Sequence, residues 1–292
     1  MHDYLRAVGF SKISQKRELQ RLLDMVMGNP DHEFVGSGEK GGVCGEKSRD
    51  FIRNAGITVR GEYDDHDMFI FDYFFPHYRG RMASMTEDVQ IEKLAEREEY
   101  DGVCDIVGLG VSMIFHMNRM SDYTTGRSVT PCLDRATIVL SALSISGKVL
   151  IPFARTEGQK KQRRRETEMR NGMIAAARAG DQEAIENLTI DDLDMYTSIA
   201  KRLRTEDVLT IVESYFMPYG ISCDQYSVMG DILDCEEVYN QLTGERLYQM
   251  LVDCNDLVID LCINAEDLLG EPAVGRRFRG TIWLQGQLEA EI

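Results

Sequence analysis

The segment Ala136-Thr137-Ile138-Val139-Leu140-Ser141-Ala142-Leu143-Ser144-Ile145-Ser146-Gly147-Lys148-Val149-Leu150-Ile151-Pro152-Phe153 is apolar or β-branched almost throughout, and its one polar, flexible step is Ser146-Gly147. Such runs suit a pleated, half-buried surface, and a two-residue step containing glycine turns one strand back on the next. The spacing predicts strands over 136–145 and 148–153, joined as a hairpin.

Toward the N-terminus the strand signals continue. Val89 to Ala95, Val103 to Val107 and Val111 to Met117 read as strands, and Ile57 to Tyr63 with Met68 to Phe75 reads as a hairpin around the polar turn Asp64-Asp65-His66-Asp67. Leu19, Leu22, Leu23 and Val26 recur at helical spacing ahead of the stop signal Gly28-Asn29-Pro30, which predicts one amphipathic helix from Ser14 to Met27. Gly36 to Gly45 reads as a flexible loop.

Toward the C-terminus the pattern switches at Arg155. Apolar residues move to helical spacing, predicting helices at Glu157 to Ala179, Asp181 to Leu188, Ile190 to Leu203 and Glu206 to Tyr215. From Met217 alternation returns, with Leu257, Ile259, Leu261 and Ile263 on one face, and recurrent turn signals suit a meander. The expected class is therefore α+β: a strand-rich N-terminal part with one leading helix (1–153), a central helical segment (154–212), and a C-terminal small β-meander or partly closed barrel (213–292).

Composition narrows the function classes. The 292 residues are 43% hydrophobic and 28% charged, which excludes disordered and collagen-like chains. With 33 Lys+Arg against 49 Asp+Glu the net charge is −16, which opposes nucleic acid and anionic membranes as partners. Seven cysteines, scattered and never spaced C-x-x-C, indicate neither a disulfide framework nor a zinc site. With no long apolar run and no export-type N-terminus, the expected compartment is the cytoplasm.

Tempting motifs fail on context. Gly36-Ser37-Gly38-Glu39-Lys40-Gly41 matches the dinucleotide fingerprint literally, but no buried strand precedes it and no helix follows. His66 among Asp64, Asp65 and Asp67, with His77 further on, offers metal-ligand chemistry, yet adjacent residues on an extended chain point to opposite faces. No nucleophile elbow accompanies any histidine. No catalytic residue, metal or cofactor is assigned.

The sharpest charge feature lies between Arg155 and Arg170, where seven basic residues face three glutamates. Arg163, Arg164 and Arg165 are its centre and the first candidate binding residues, with an acidic surface as the natural partner. Arg276 and Arg277 form a second cationic spot beside Trp283, the only tryptophan, which is placed by alternation opposite Phe278, Ile282 and Leu284.

Three segments carry a family resemblance: Tyr4-Leu5-Arg6-Ala7-Val8-Gly9-Phe10-Ser11, Ile174 to Glu186, and Leu268-Leu269-Gly270-Glu271-Pro272 with Gly275 to Gly286. Over nearly its whole length the chain resembles DUF3881, an uncharacterised domain-of-unknown-function family of cytosolic proteins from clostridial-group Firmicutes. The resemblance implies a bacterial cytosolic setting and brings no catalytic residue or cofactor with it. The resulting functional expectation is a non-enzymatic interaction or regulatory protein that binds another macromolecule, another protein rather than nucleic acid. The alternatives are an enzyme with an unrecognised site where the helical and β regions meet, and an RNA binder using the basic helix and the C-terminal β region. Because no disulfide is expected, the melting temperature of the purified protein should be unchanged by dithiothreitol, and a fall of several degrees would show a bridge that matters.

Overall fold

A computed structural model describes residues 3–37, 42–93, 99–106, 111–122, 124–125, 128–151, 214–220 and 223–289, with scattered positions between 165 and 187. A 3-10 turn (Asp3–Val8) leads into helix α1 (Lys16–Gly28). Strands follow as β1 (His32–Ser37), β2 (Val43–Ile52), β3 (Ala55–Tyr63), β4 (Phe69–Tyr78), β5 (Met85–Lys93), β6 (Tyr100–Ile106), β7 (Val111–Met117), β8 (Thr124–Thr125), β9 (Ser128–Val129) and β10 (Cys132–Leu150). The second group is β11 (Tyr215–Pro218), β12 (Gln225–Tyr239), β13 (Arg246–Cys254), β14 (Leu257–Asn264), β15 (Leu268–Leu269) and β16 (Arg277–Glu289).

The pairing closes two rings on one shared ladder. β10 and β16 run antiparallel from Thr137↔Glu289 to Leu150↔Arg277. The later half of β10 pairs in parallel with β14, whose neighbours β13 and β12 lead back to the first half of β16. The first half of β10 pairs with β5, and β6 and β7 lead from there to the end of β16 at Gln285↔His116. Each circuit has five strands, and β10 and β16 belong to both. Ring closure leaves few exposed edges to template unwanted pairing.

One core fills the two rings and a second covers them. Ala136, Ile138, Leu140 and Ala142 of β10 point inward with Phe278, Ile282, Leu284 and Leu288 of β16, alongside Phe115 of β7, Met250 of β13, and Ile259, Leu261 and Ile263 of β14. Leu143, Leu247, Cys262 and Trp283 point outward into a second core shared with the 3-10 turn and the antiparallel sheet β1-β2-β3-β4, and α1 packs on β2 and β3 of that sheet. Strand period two thus serves both cores from the same strands.

These findings correct the α+β reading. The protein is mostly β, with strands rather than a central helical segment organising the described residues. The helices expected over 154–212 fall almost wholly outside the described residues. The C-terminal strands are not a self-contained meander or barrel, because β16 pairs with β10, β12 and β7. Nor is Ser146-Gly147 a turn: β10 runs straight through it with a bulge between Ser144 and Ser146. Glycine stands there because Phe278 occupies the space a side chain would take, its ring 2.5 Å from the position of a Cβ. Gly36 and Cys44 likewise form a ladder pair where a loop over Gly36 to Gly45 is expected, and residues 38–41 of that stretch lie outside the described residues. The leading helix and the β3–β4 hairpin do form where alternation and helical spacing place them, although Gln15, not Ser14, is the N-cap, with the Glu18 carboxylate accepting from its backbone N–H.

Gly147→Asn therefore separates turn from strand. A turn would accept asparagine, whereas the packed strand should lose several degrees in melting temperature. Phe278→Ala should cost about 3–5 kcal/mol of unfolding free energy by denaturant titration.

Candidate functional site

The face of the four-stranded sheet turned toward the rings is polar and buried. Cross-strand register sets Phe34, Glu46, Arg60 and Tyr73 in one row, His32, Ser48, Thr58 and Phe75 in the next, and Asp50, Gly56 and His77 in a third. Arg60 has 0% exposure. Its Nε donates to Glu46 Oε2 at 2.7 Å, Nη1 to the Tyr73 hydroxyl at 2.8 Å and Nη2 to the Met117 carbonyl at 2.9 Å, and the guanidinium lies 4.8 Å from the Phe75 ring centre. Glu46 also accepts from the Met120 backbone N–H at 3.1 Å. The pair thereby ties the exit of β7 to the sheet, and removing one member would leave the other charge buried and unpaired.

Beside it runs a chain of hydrogen bonds. His77 lies 2.8 Å from Thr58 Oγ1 through Nδ1 and 2.9 Å from Asp50 Oδ1 through Nε2, and Asp50 also pairs with Arg79. Burial would raise the Asp50 carboxyl, but its bonds to His77 and Arg79 outweigh that and hold it below its usual range. Burial pushes His77 down against the pull of Asp50, favouring the neutral ring. Nε2–H then donates to the Asp50 carboxylate, and Nδ1 accepts from the Thr58 hydroxyl. Chemically, this arrangement lets His77 take a proton at Nδ1 while Asp50 stabilises the resulting imidazolium.

A cleft of about 320 Å³ opens onto this chain, between the sheet and the segment after β7. Its walls include His32, Phe34, Ser48, Thr58, His77, Asn118 and Ser121. Each charged residue in its lining is matched. Glu46 holds Arg60, Arg79 holds Asp50, Arg119 holds Asp122 at 3.0 Å, and Glu33 holds Lys47 at 3.2 Å. Asn118 donates to the Tyr78 carbonyl at 2.8 Å, while its buried Oδ1 has no partner.

Further along the same seam His116 packs edge-on to Phe75 at 4.5 Å and tilted against Trp283 at 5.2 Å. Neither of its ring nitrogens has a hydrogen-bond partner, nor does Asp101 Oδ1, which faces it across the β6–β7 ladder 3.7 Å from Nδ1. Burial, then the charge of Arg60, pushes His116 down to about 4; burial, then Glu92, pushes Asp101 up to about 7. Among the described residues no group of three or more His, Cys, Asp or Glu is placed to hold a metal ion.

The resemblance noted in the sequence is borne out by comparison: the family model described as "Domain of unknown function, E. rectale Gene description (DUF3881)" matches residues 5–286. The chain belongs to the DUF3881 family. No curated protein and no solved structure matches this DUF3881 chain. The family supplies no assigned role. No helix among the described residues is long and apolar enough to cross a membrane.

The residues singled out from sequence are not gathered at this cleft. Arg163 and Arg164 lie outside the described residues, and Arg165 is exposed. Arg276 donates to the Glu271 carbonyl at 2.6 Å, and Arg277 is buried with its Nε on Asp231 at 2.8 Å. Trp283 is buried, donates through Nε1 to Asp224 and packs on Tyr4 at 5.4 Å. His66 sits in an exposed turn whereas His77 is buried, so the metal cluster weighed for them does not assemble. Sequence reasoning missed Asp50, Thr58, Arg60 and Asn118. The only signal available was that Thr58 and Arg60 alternate with Ile57 and Val59, which is how a solvent-facing row also reads.

Asp101 and His116 act on stability with opposite sign. The native state holds the Asp101 proton up to about pH 7 while the unfolded chain releases it near pH 4, so this group's contribution falls as pH rises between those values. The unfolded chain protonates histidine near pH 6.5 and the native state only near 4, so the His116 contribution rises over that window. The two oppose each other in the wild type. Asp101→Asn should give stability that climbs from pH 4 to 6.5, and His116→Gln stability that declines from pH 4 to 7, measured by urea titration at each pH.

Proposed function

We propose that this DUF3881 protein binds a compact, uncharged small molecule rich in hydroxyl or amide groups, in the cleft between the four-stranded sheet and the rings, and that it does so in the cytoplasm. The observation that carries this reading is the charge balance of the cleft. Every ionised group in its lining has a counter-ion, so what it offers a ligand is hydroxyls, imidazole, an amide oxygen and the Phe34 ring. A ligand with a net charge would have to displace one of these pairs or stay unpaired, which costs several kcal/mol. The volume lies at the small end of ligand sites. Asn118 Oδ1 supplies an acceptor that a donor on the ligand would satisfy.

The test is a thermal-shift screen of neutral polyols, hexoses, amides and nucleobases against amino acids, carboxylates and phosphate. A neutral compound should raise the melting temperature, and the rim substitutions His32→Ala and Ser121→Ala should each weaken its Kd about tenfold, the worth of one hydrogen bond. Stabilisation by charged compounds alone would refute the reading.

A further inference from the structure

The tip of the β3–β4 hairpin is exposed. At its tip Met68 is 64%, Ile70 56% and Phe71 42% exposed, and across the same end of the sheet Val35 is 52% and Val43 45% exposed. Register places Val35, Gly45, Gly61 and Phe71 in one row, so Val35 and Phe71 share a face and Ile70 stands on the other. Among the described residues β4 has no ladder partner but β3, which leaves half of its backbone donors and acceptors open along this apolar stretch.

Charge decides what would pair with this edge. Asp65, Asp67 and Asp72 are exposed around the tip, and the nearby Lys47 is held by Glu33 at 3.2 Å. Like charge at such an edge deters a second copy of a chain carrying −16, and it repels nucleic acid and anionic lipid. A strand with alternating basic and apolar side chains meets both demands. We propose that the exposed half of β4 is a docking edge for an extended, basic and apolar segment of another protein, which adds to the sheet by backbone pairing while its apolar residues cover Phe71 or Ile70 and its cations face the aspartates.

The experiment is calorimetric titration of the full chain with a blocked heptapeptide alternating lysine and valine, beside a control alternating glutamate and valine. The lysine peptide should bind with a micromolar Kd that weakens with added salt. The double substitution Ile70→Ser with Phe71→Ser leaves the charge intact, and Asp65→Asn with Asp67→Asn and Asp72→Asn leaves the apolar surface intact. Each set should weaken Kd about tenfold while the melting temperature stays unchanged, because all five positions are exposed. Weakening by the aspartate set alone would show adhesion by charge and overturn the proposal, as would equal binding of the glutamate peptide or no binding of either. Dimerisation by light scattering that Phe71→Ser abolishes would assign the edge to a second copy instead.

Discussion

The antiparallel ladder between β10 and β16 is the constraint on which the rest of the structure depends. Each strand is long enough to serve two circuits, so one continuous set of hydrogen bonds fixes the geometry of both rings. It also fixes the second core, because the outward residues Leu143 and Trp283 are the floor on which the 3-10 turn and the four-stranded sheet settle, with α1 packed on β2 and β3 in turn. A disturbance of this ladder propagates to every layer, whereas one in β1 or β11 stays local.

The buried polar seam is the second organising feature. A sheet that laid only apolar residues against the rings would have been simpler, yet here Glu46, Asp50, Thr58, Arg60 and His77 occupy that face. Their bonds largely satisfy one another and the backbone leaving β7, which sets the sheet in a single position relative to the rings. The exceptions are Asn118 Oδ1, the two ring nitrogens of His116 and Asp101 Oδ1, buried atoms whose hydrogen-bonding capacity the seam leaves unused.

Local elements were legible and closure was not. The β3–β4 hairpin followed from β-branched runs around Asp64 to Asp67, and the placement of Trp283 opposite Phe278 and Ile282 followed from alternation alone. Ser146-Gly147 misled because a glycine required by a neighbouring aromatic ring has the same letter as one required by a turn. The pairing of β10 with β14 and β16 joins residues more than a hundred positions apart, and nothing in either strand names its partner. The site was hidden for a related reason. Thr58 and Arg60 look like a solvated row until the rings are placed over them, and the histidine with chemical company proved to be His77, whose partners come from β2 and β3.

Thr137 and Glu289, the first pair of the shared ladder, are 152 positions apart in the chain. At about 5–20 residues per second, a ribosome needs on the order of ten seconds or more to make the intervening chain. Throughout that interval β10 has emerged without the strand that both rings require, and neither ring can close until β16 has been made. Until β16 follows, the nascent chain presents β10, the longest of the described strands, to whatever chaperones the cell provides.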